Sequence, residues 1–138
     1  MLINLNPLLG PDFLHALRAM GHGDEIAIVD GNYPAQTDAK RLIRADGLHA
    51  VPILEAILSV MPLDDFVEQA AFIPHVDSPQ PIHVQFANIV SAHAPVIKLH
   101  PLVGQDFYSR VKRAFAIVAT SEPALYGNIV LRKGVIRP

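Results

Sequence analysis

The chain has 138 residues, 51% of them hydrophobic, with a mean hydropathy of +0.30 and a formal net charge of -2. That length suits one domain able to bury a core without staples, and the near-neutral balance excludes bulk attraction to nucleic acid or anionic lipid. The absence of cysteine excludes disulfides and thiolate metal sites, and so high an apolar content points either to a large core or, the reading favoured here, to surface covered in an oligomer.

Met1 to Pro11 lacks the basic flank and long apolar core of a secretion signal, so the expected location is the cytoplasm. Pro11-Asp12 opens a helix in which Phe13, Leu14, Leu17 and Met20 recur at helical spacing, and Gly21 and Gly23 end it. Glu25 to Val29 reads as a short apolar strand bounded by the turn signal Asp30-Gly31-Asn32. A short helix or turn follows at Ala35 to Lys40, then a strand at Arg41 to Ala45 ended by Asp46-Gly47. Val51 to Met61 fits a helix with Pro52 in its first turn, where a missing N–H costs nothing. The apolar stretch Ala50 to Val60 is interrupted by Pro52, Glu55 and Ser59, too short and too broken to span a bilayer.

Further strands are expected at Phe66 to His75, Val96 to Leu99, Phe115 to Thr120 and Asn128 to Arg132. Helices are expected at Gln80 to His93, where Ile82, Phe86, Ile89 and Val90 share a face, and at Gln105 to Ala114. Strands alternate with helices throughout. The reading is therefore α/β: a single three-layer α/β/α domain over residues 1–138, with a central, mostly parallel sheet of about six strands.

Chemistry concentrates in two polar islands beside apolar strands. Gly21-His22-Gly23-Asp24-Glu25 precedes the first strand and Asp30 follows it, while Tyr126-Gly127-Asn128 precedes the last. Each island sits at a strand end, so an imidazole, a carboxylate, a phenol and an amide are expected to meet at one mouth of the sheet. Ligands of open α/β sheets bind beyond the carboxyl ends of strands. Asp30 there is either a ligand group or simply the turn-former of Asp30-Gly31-Asn32. The imidazole of His22 can give and accept a proton near neutral pH, and its flanking glycines allow close approach. Equally, it suits a helix end. The phenol of Tyr126 and the amide of Asn128 both donate and accept hydrogen bonds, as sugar hydroxyls require, although the same tripeptide also fits a tight surface turn.

His15 falls on the polar side of the first helix. His49, His75, His83 and His93 show no ligand spacing with one another, so no metal site is expected. His100 ends a strand before Pro101 and is open to a site or a loop reading, and Arg44 with Asp46 suits a local ion pair. There is no phosphate-binding loop, no dinucleotide fingerprint and no Gly-x-Ser-x-Gly turn. Kinases, dehydrogenases and serine hydrolases are disfavoured accordingly.

Four blocks in order resemble the L-fucose mutarotase and D-ribose pyranase family over nearly the whole chain. They are Met20-Gly21-His22-Gly23-Asp24-Glu25-Ile26, then Ile43-Arg44-Ala45-Asp46-Gly47-Leu48, then Phe107-Tyr108 with Arg110 and Ala114-Phe115-Ala116-Ile117-Val118, and finally Tyr126-Gly127-Asn128-Ile129-Val130-Leu131-Arg132-Lys133-Gly134-Val135. Their wording is closer to the fucose branch. The resemblance implies a cofactor-free isomerase that interconverts anomers or ring forms of a free monosaccharide. It matches His22 to the family's proton donor, Asp30 to its strand-end substrate ligand, and Tyr126, Gly127 and Asn128 to its sugar-binding segment. It also implies a ring-like homo-oligomer, decameric or smaller, with sites near subunit contacts.

One departure bears on the sugar. Where the fucose branch places an arginine and the ribose branch a histidine, this chain has Gly104, and His100 is the candidate for the missing polar contact. In the mechanism these residues permit, His22 protonates the ring oxygen and Asp30 accepts or orients a hydroxyl, while Tyr126 and Asn128 hold the opened chain. The alternatives are a D-ribose pyranase, a sugar-binding accessory protein without turnover, and a purely structural oligomer.

Overall fold

The computed structural model describes residues 1–138. Eleven elements follow in order: α1 (Pro11–Ala19), β1 (Glu25–Val29), α2 (Ala35–Asp38), β2 (Leu42–Ala45), α3 (Ala50–Leu58), β3 (Ala71–Pro74), α4 (Pro81–His93), β4 (Leu99–Leu102), α5 (Gln105–Arg113), β5 (Ala116–Thr120) and β6 (Ile129–Arg132). The six strands form one sheet in the order β2-β5-β1-β6-β3-β4. β1 pairs in parallel with β5, β5 with β2, and β3 with β4, whereas β6 runs antiparallel to both β1 and β3. All strands but β6 thus point the same way, as the α/β reading expects.

Alternate residues of each central strand feed opposite faces of the sheet. Ile26 and Ile28 join Val118, Ile129 and Leu131 in the larger core, beneath Phe13 and Leu17 of α1, Ile53, Leu54 and Ile57 of α3, and Phe86 and Val90 of α4. Ala27 and Val29 join Ile117, Ala119 and Val130 in the smaller core, closed by Ala35 of α2 and by Phe107 and Val111 of α5. This is the three-layer arrangement, with three helices on one face and two on the other. Burying a side chain such as Ile53 or Phe86 completely contributes about 1.5–3 kcal/mol, so the larger face dominates cohesion.

Two strands differ from the sequence reading. β3 begins at Ala71 rather than Phe66, because Asp64 Oδ1 accepts the Phe66 N–H (3.1 Å) and turns the chain there. β4 lies at Leu99–Leu102, displaced toward the carboxyl side of the expected Val96 to Leu99, and it contains Pro101. A proline lacks the donor a central strand needs, and β4 is an edge strand. Helix α2 is a single turn, Ala35–Asp38. No helix is long and apolar enough to cross a membrane.

Beyond β6 the chain is held by backbone pairing: Gly134 N–H donates to Pro62 O (2.8 Å) next to the Leu63–Lys133 bridge. A Cβ on Gly134 would fall 2.4 Å from the Leu63 carbonyl oxygen. Gly134→Ala is therefore expected to cost about 1–3 kcal/mol through overpacking, read as a lowered Tm in circular dichroism.

Candidate functional site

The strand directions sort the candidate residues into two groups. Asp30 follows the carboxyl end of β1, and Asn128 precedes the amino end of the antiparallel β6, so the two meet at the same edge of the sheet. Their pairing is reciprocal. The Asp30 N–H donates to Asn128 Oδ1 (2.7 Å), and Asn128 Nδ2 donates to Asp30 Oδ2 (3.0 Å). Asp30 Oδ1 accepts the Asn32 N–H (2.9 Å), so the aspartate forms its turn as well. Both side chains are buried, and burial makes a satisfied pair of this kind far more costly to disturb than a surface one.

Asp30 and Asn128 lie on a cleft of about 450 Å³ at this edge, within the range of small-molecule sites. Tyr126 and Leu125 form one side. Gln105, Tyr108 and Lys112 line it from α5, on one helical face at i, i+3 and i+7. Tyr33, Asn32 and Asp38 line it from the loop after β1 and from α2. The rings of Tyr33 and Tyr108 stack at 6.1 Å, and the Tyr33 hydroxyl donates to Asp38 Oδ2 (2.7 Å). Burial, then the acceptor Asp38, pushes the Tyr33 phenol well up from its ordinary value, so it stays a donor. Burial, with Tyr126 and Asp30 nearby, pushes Tyr108 up too. The cleft thus offers two carboxylates held in place, Asp30 and Asp38, with an ammonium, side-chain amides, phenol hydroxyls and an aromatic wall, which is a set suited to a polyhydroxylated ring.

Tyr126 adopts φ +60°, a left-handed backbone conformation that few non-glycine residues take. Gly127 beside it has no room for a side chain: a Cβ there would lie 2.9 Å from Glu122 Cγ and 3.0 Å from the Ala124 carbonyl oxygen.

His22 stands elsewhere. It precedes the amino end of β1, and the strand between it and Asp30 spans about 16 Å at ~3.3 Å per residue. The expectation that all the polar islands meet at one mouth is corrected here: within one chain His22 lies at the opposite edge of the sheet from Asp30, Tyr126 and Asn128. The residue order alone dictates this, since one island enters β1 and the other leaves it. His100 does not join the cleft either. It lies inside β4, with Nδ1 paired to Gln69 Nε2 (3.0 Å) and its ring edge-on to Phe72.

At its own edge His22 has a definite partner that sequence reasoning missed. Its Nε2 is 3.0 Å from Oδ1 of Asp64, whose carboxylate is completely buried. A carboxylate only accepts, so Nε2 carries the proton, and Nδ1 is left as the nitrogen that can exchange one. Asp64 Oδ2 accepts from Arg132 Nε (2.8 Å). Burial alone would raise the Asp64 carboxyl, but the bonds from Arg132, His22 and the Phe66 N–H outweigh it and hold it below its ordinary value of 3.8. Phe66, largely exposed, lies beside the His22 ring at 5.4 Å with the two planes tilted by 53°. Nothing local marks Asp64 in the sequence, because Asp64-Asp65 reads as a solvated acidic pair. Next to this group Lys40, Arg41, Arg110, Arg113 and Arg132 line a cleft of about 360 Å³ with Asp24 and Glu25, so this edge is basic. No group of three or more His, Cys, Asp or Glu side chains is placed to hold a metal ion.

A family model described as the RbsD / FucU transport protein family matches residues 3–136. This chain belongs to that family. It is 44% identical to the fucose mutarotase of Homo sapiens over 94% of this chain and 90% of the relative. It superposes with TM-score 0.92 and 39% identity on the fucose mutarotase of Streptococcus pneumoniae solved in complex with L-fucose, covering 99% of this chain and 100% of that one. RbsD of Bacillus subtilis, complexed with D-ribose, shares the fold with TM-score 0.77 at 18% identity, over 99% of this chain and 100% of that one. The resemblance carried by the four sequence blocks and the three-layer fold are therefore both upheld.

The Asp64 cluster predicts an acid dependence. A carboxyl whose folded pKa is depressed stabilises above its unfolded value, and that contribution is lost as pH falls through the folded value. Asp64→Asn is expected to lower stability by about 1–3 kcal/mol near neutral pH. In urea titrations the difference from wild type should then shrink as the pH is taken below 3.8.

Proposed function

We propose that this chain is a mutarotase of L-fucose or a closely related free sugar, and that each site is shared between two copies. The observation that carries the reading is the buried Asp30–Asn128 pair on the floor of a cleft walled by phenols and an amide. Support for the fucose branch comes from the named activity of the relatives at 39–44% identity. The ribose-binding neighbour is the more distant one.

Anomer exchange requires a proton on the ring oxygen and loss of one from the anomeric hydroxyl. The ring opens to an aldehyde, the carbonyl face rotates, and reclosure returns both protons. Asp30 orients or accepts from a hydroxyl, and Tyr126 and Asn128 retain the open chain. His22 delivers the proton to the ring oxygen through Nδ1, steadied by the Asp64 carboxylate behind Nε2. Positioned acid–base groups give about 10²–10⁴-fold each.

Since His22 and Asp30 occupy opposite edges of one chain, His22 of a neighbouring copy completes the cleft. Charge supports this arrangement. The cleft at the His22 edge is lined by five cations against Asp24 and Glu25, and the clefts at the other edge by Asp30, Asp38, Asp46 and Glu122 against Arg44 and Lys112, so the two edges carry opposite net charge. Apolar residues rim both: Phe66 beside His22, and Leu125 with Tyr126 beside Asp30. Unlike surfaces that meet head to tail form a ring where the rotation from copy to copy closes, and the family resemblance implies a homo-oligomer of that kind.

NMR saturation transfer on L-fucose, D-ribose and D-galactose tests both parts. Wild type should speed L-fucose exchange most, while His22→Ala and Asp30→Asn should each lose about 100-fold or more. Co-assembled in equal amounts, the two inactive variants should recover about a quarter of the wild-type rate, because intact halves meet at that share of head-to-tail contacts. No recovery on mixing would overturn the shared site, and equal exchange of all three sugars with and without protein would overturn the enzyme.

A further inference from the structure

We propose that His83, which does not line the cleft, is a positioning residue for the Asp30–Asn128 pair. The inference rests on the mutarotase reading for its kinetic consequence, and on geometry alone for the contact itself. His83 lies in the first turn of α4 and is 8% exposed. Its Nε2 is 2.8 Å from the carbonyl oxygen of Tyr126. A carbonyl only accepts, so Nε2 carries a proton. The neutral Nε2–H tautomer and the imidazolium both satisfy this.

That carbonyl is a point of control. Tyr126 holds its left-handed φ of +60° against the ordinary steric preference of a residue with a Cβ. The same oxygen accepts the Asn128 N–H (2.8 Å), across Gly127. The peptide after Tyr126 is thus pinned by two donors, one from its own loop and one from α4. The Asn128 backbone so fixed aims its amide at Asp30, where it accepts from the Asp30 N–H and donates to Oδ2. The other end of the chain of contacts is equally firm. The His83 ring stacks on Phe86 at 6.3 Å and 30°, and Phe86 is fully buried in the larger core. Ile82, its neighbour on α4, closes the space a Gly127 side chain would need. A core helix therefore sets the orientation of the sugar-facing loop through one imidazole N–H.

Removing that donor leaves a strained peptide with one hydrogen bond instead of two, so Asn128 and Asp30 lose their common orientation. Misplacement of a binding group by about 1 Å can cost about 10²-fold in rate. The test uses His83→Phe, which keeps a ring against Phe86 without the N–H, and His83→Gln, which restores an amide donor. In saturation transfer on L-fucose, His83→Phe is expected to lower kcat/KM by about 10–100-fold while the Tm stays near that of wild type, and His83→Gln to return to within about 3-fold. In ¹⁵N spectra without sugar, the Asn128 side-chain amide signals should shift or broaden in His83→Phe and keep their wild-type positions in His83→Gln. Should His83→Phe not fold, His83→Met takes its place.

Wild-type kinetics and an unmoved Asn128 amide in the donor-less variant would overturn the proposal. So would equal losses in the Phe and Gln variants, because the ring and not the N–H would then matter. A wild-type protein inactive on every sugar would instead overturn the mutarotase reading, and the Asn128 amide signals would still decide the positioning role.

Discussion

The two hydrogen bonds that Asp30 and Asn128 exchange tie together the end of β1 and the start of β6, which are distant in sequence and adjacent in the sheet. Everything at the cleft depends on that tie. It requires β6 to run against β1, because only then does the residue entering one strand sit beside the residue leaving the other. It also requires burial, which excludes water that would otherwise compete for both groups. The loop behind Asp30 is fixed from the neighbouring strand: Thr120 Oγ1 donates to Val29 O (2.7 Å), and Gly31 N–H donates to Glu122 O (2.9 Å). A carboxylate so held keeps one direction, so a ligand meeting it would add no cost for ordering the side chain.

The opposite edge uses the same physics with a different outcome. Asp64 is also a buried acid satisfied on several sides, but its partners are cations or potential cations, Arg132 and His22. Pairing keeps Asp64 charged despite burial, so it can orient an imidazole by a fixed acceptor. One acid is held by a neutral amide and the other by an arginine and an imidazole, so the two edges of the sheet differ in the charge that surrounds their buried carboxylates.

Much of the fold is legible in the residues. The run Ile26-Ala27-Ile28-Val29 is apolar at every position because α-helices cover both faces, and β1 lies where that run predicts. Asp30 and Asn128 are recognisable as strand-end polar groups. β3 is harder to place, since Phe66 and Val67 extend the apolar pattern backward while Asp64 turns the chain by a bond that local pattern does not reveal. β4 hides because Pro101 argues against a strand until its edge position is known. Asp64 and His83 escape for a related reason: their partners, Arg132 and the Tyr126 carbonyl, lie far along the chain.

The antiparallel β6 has one more consequence, in the making of the molecule. It is the last strand in chain order, yet it stands between β1 and β3, and without it the sheet is two separate pieces, β2-β5-β1 and β3-β4. A ribosome emitting this chain therefore exposes two unpaired strand borders until the final element arrives, and such borders invite association with other chains. The strand that joins the two pieces is the last of the six to be made, so both borders stay open until it emerges.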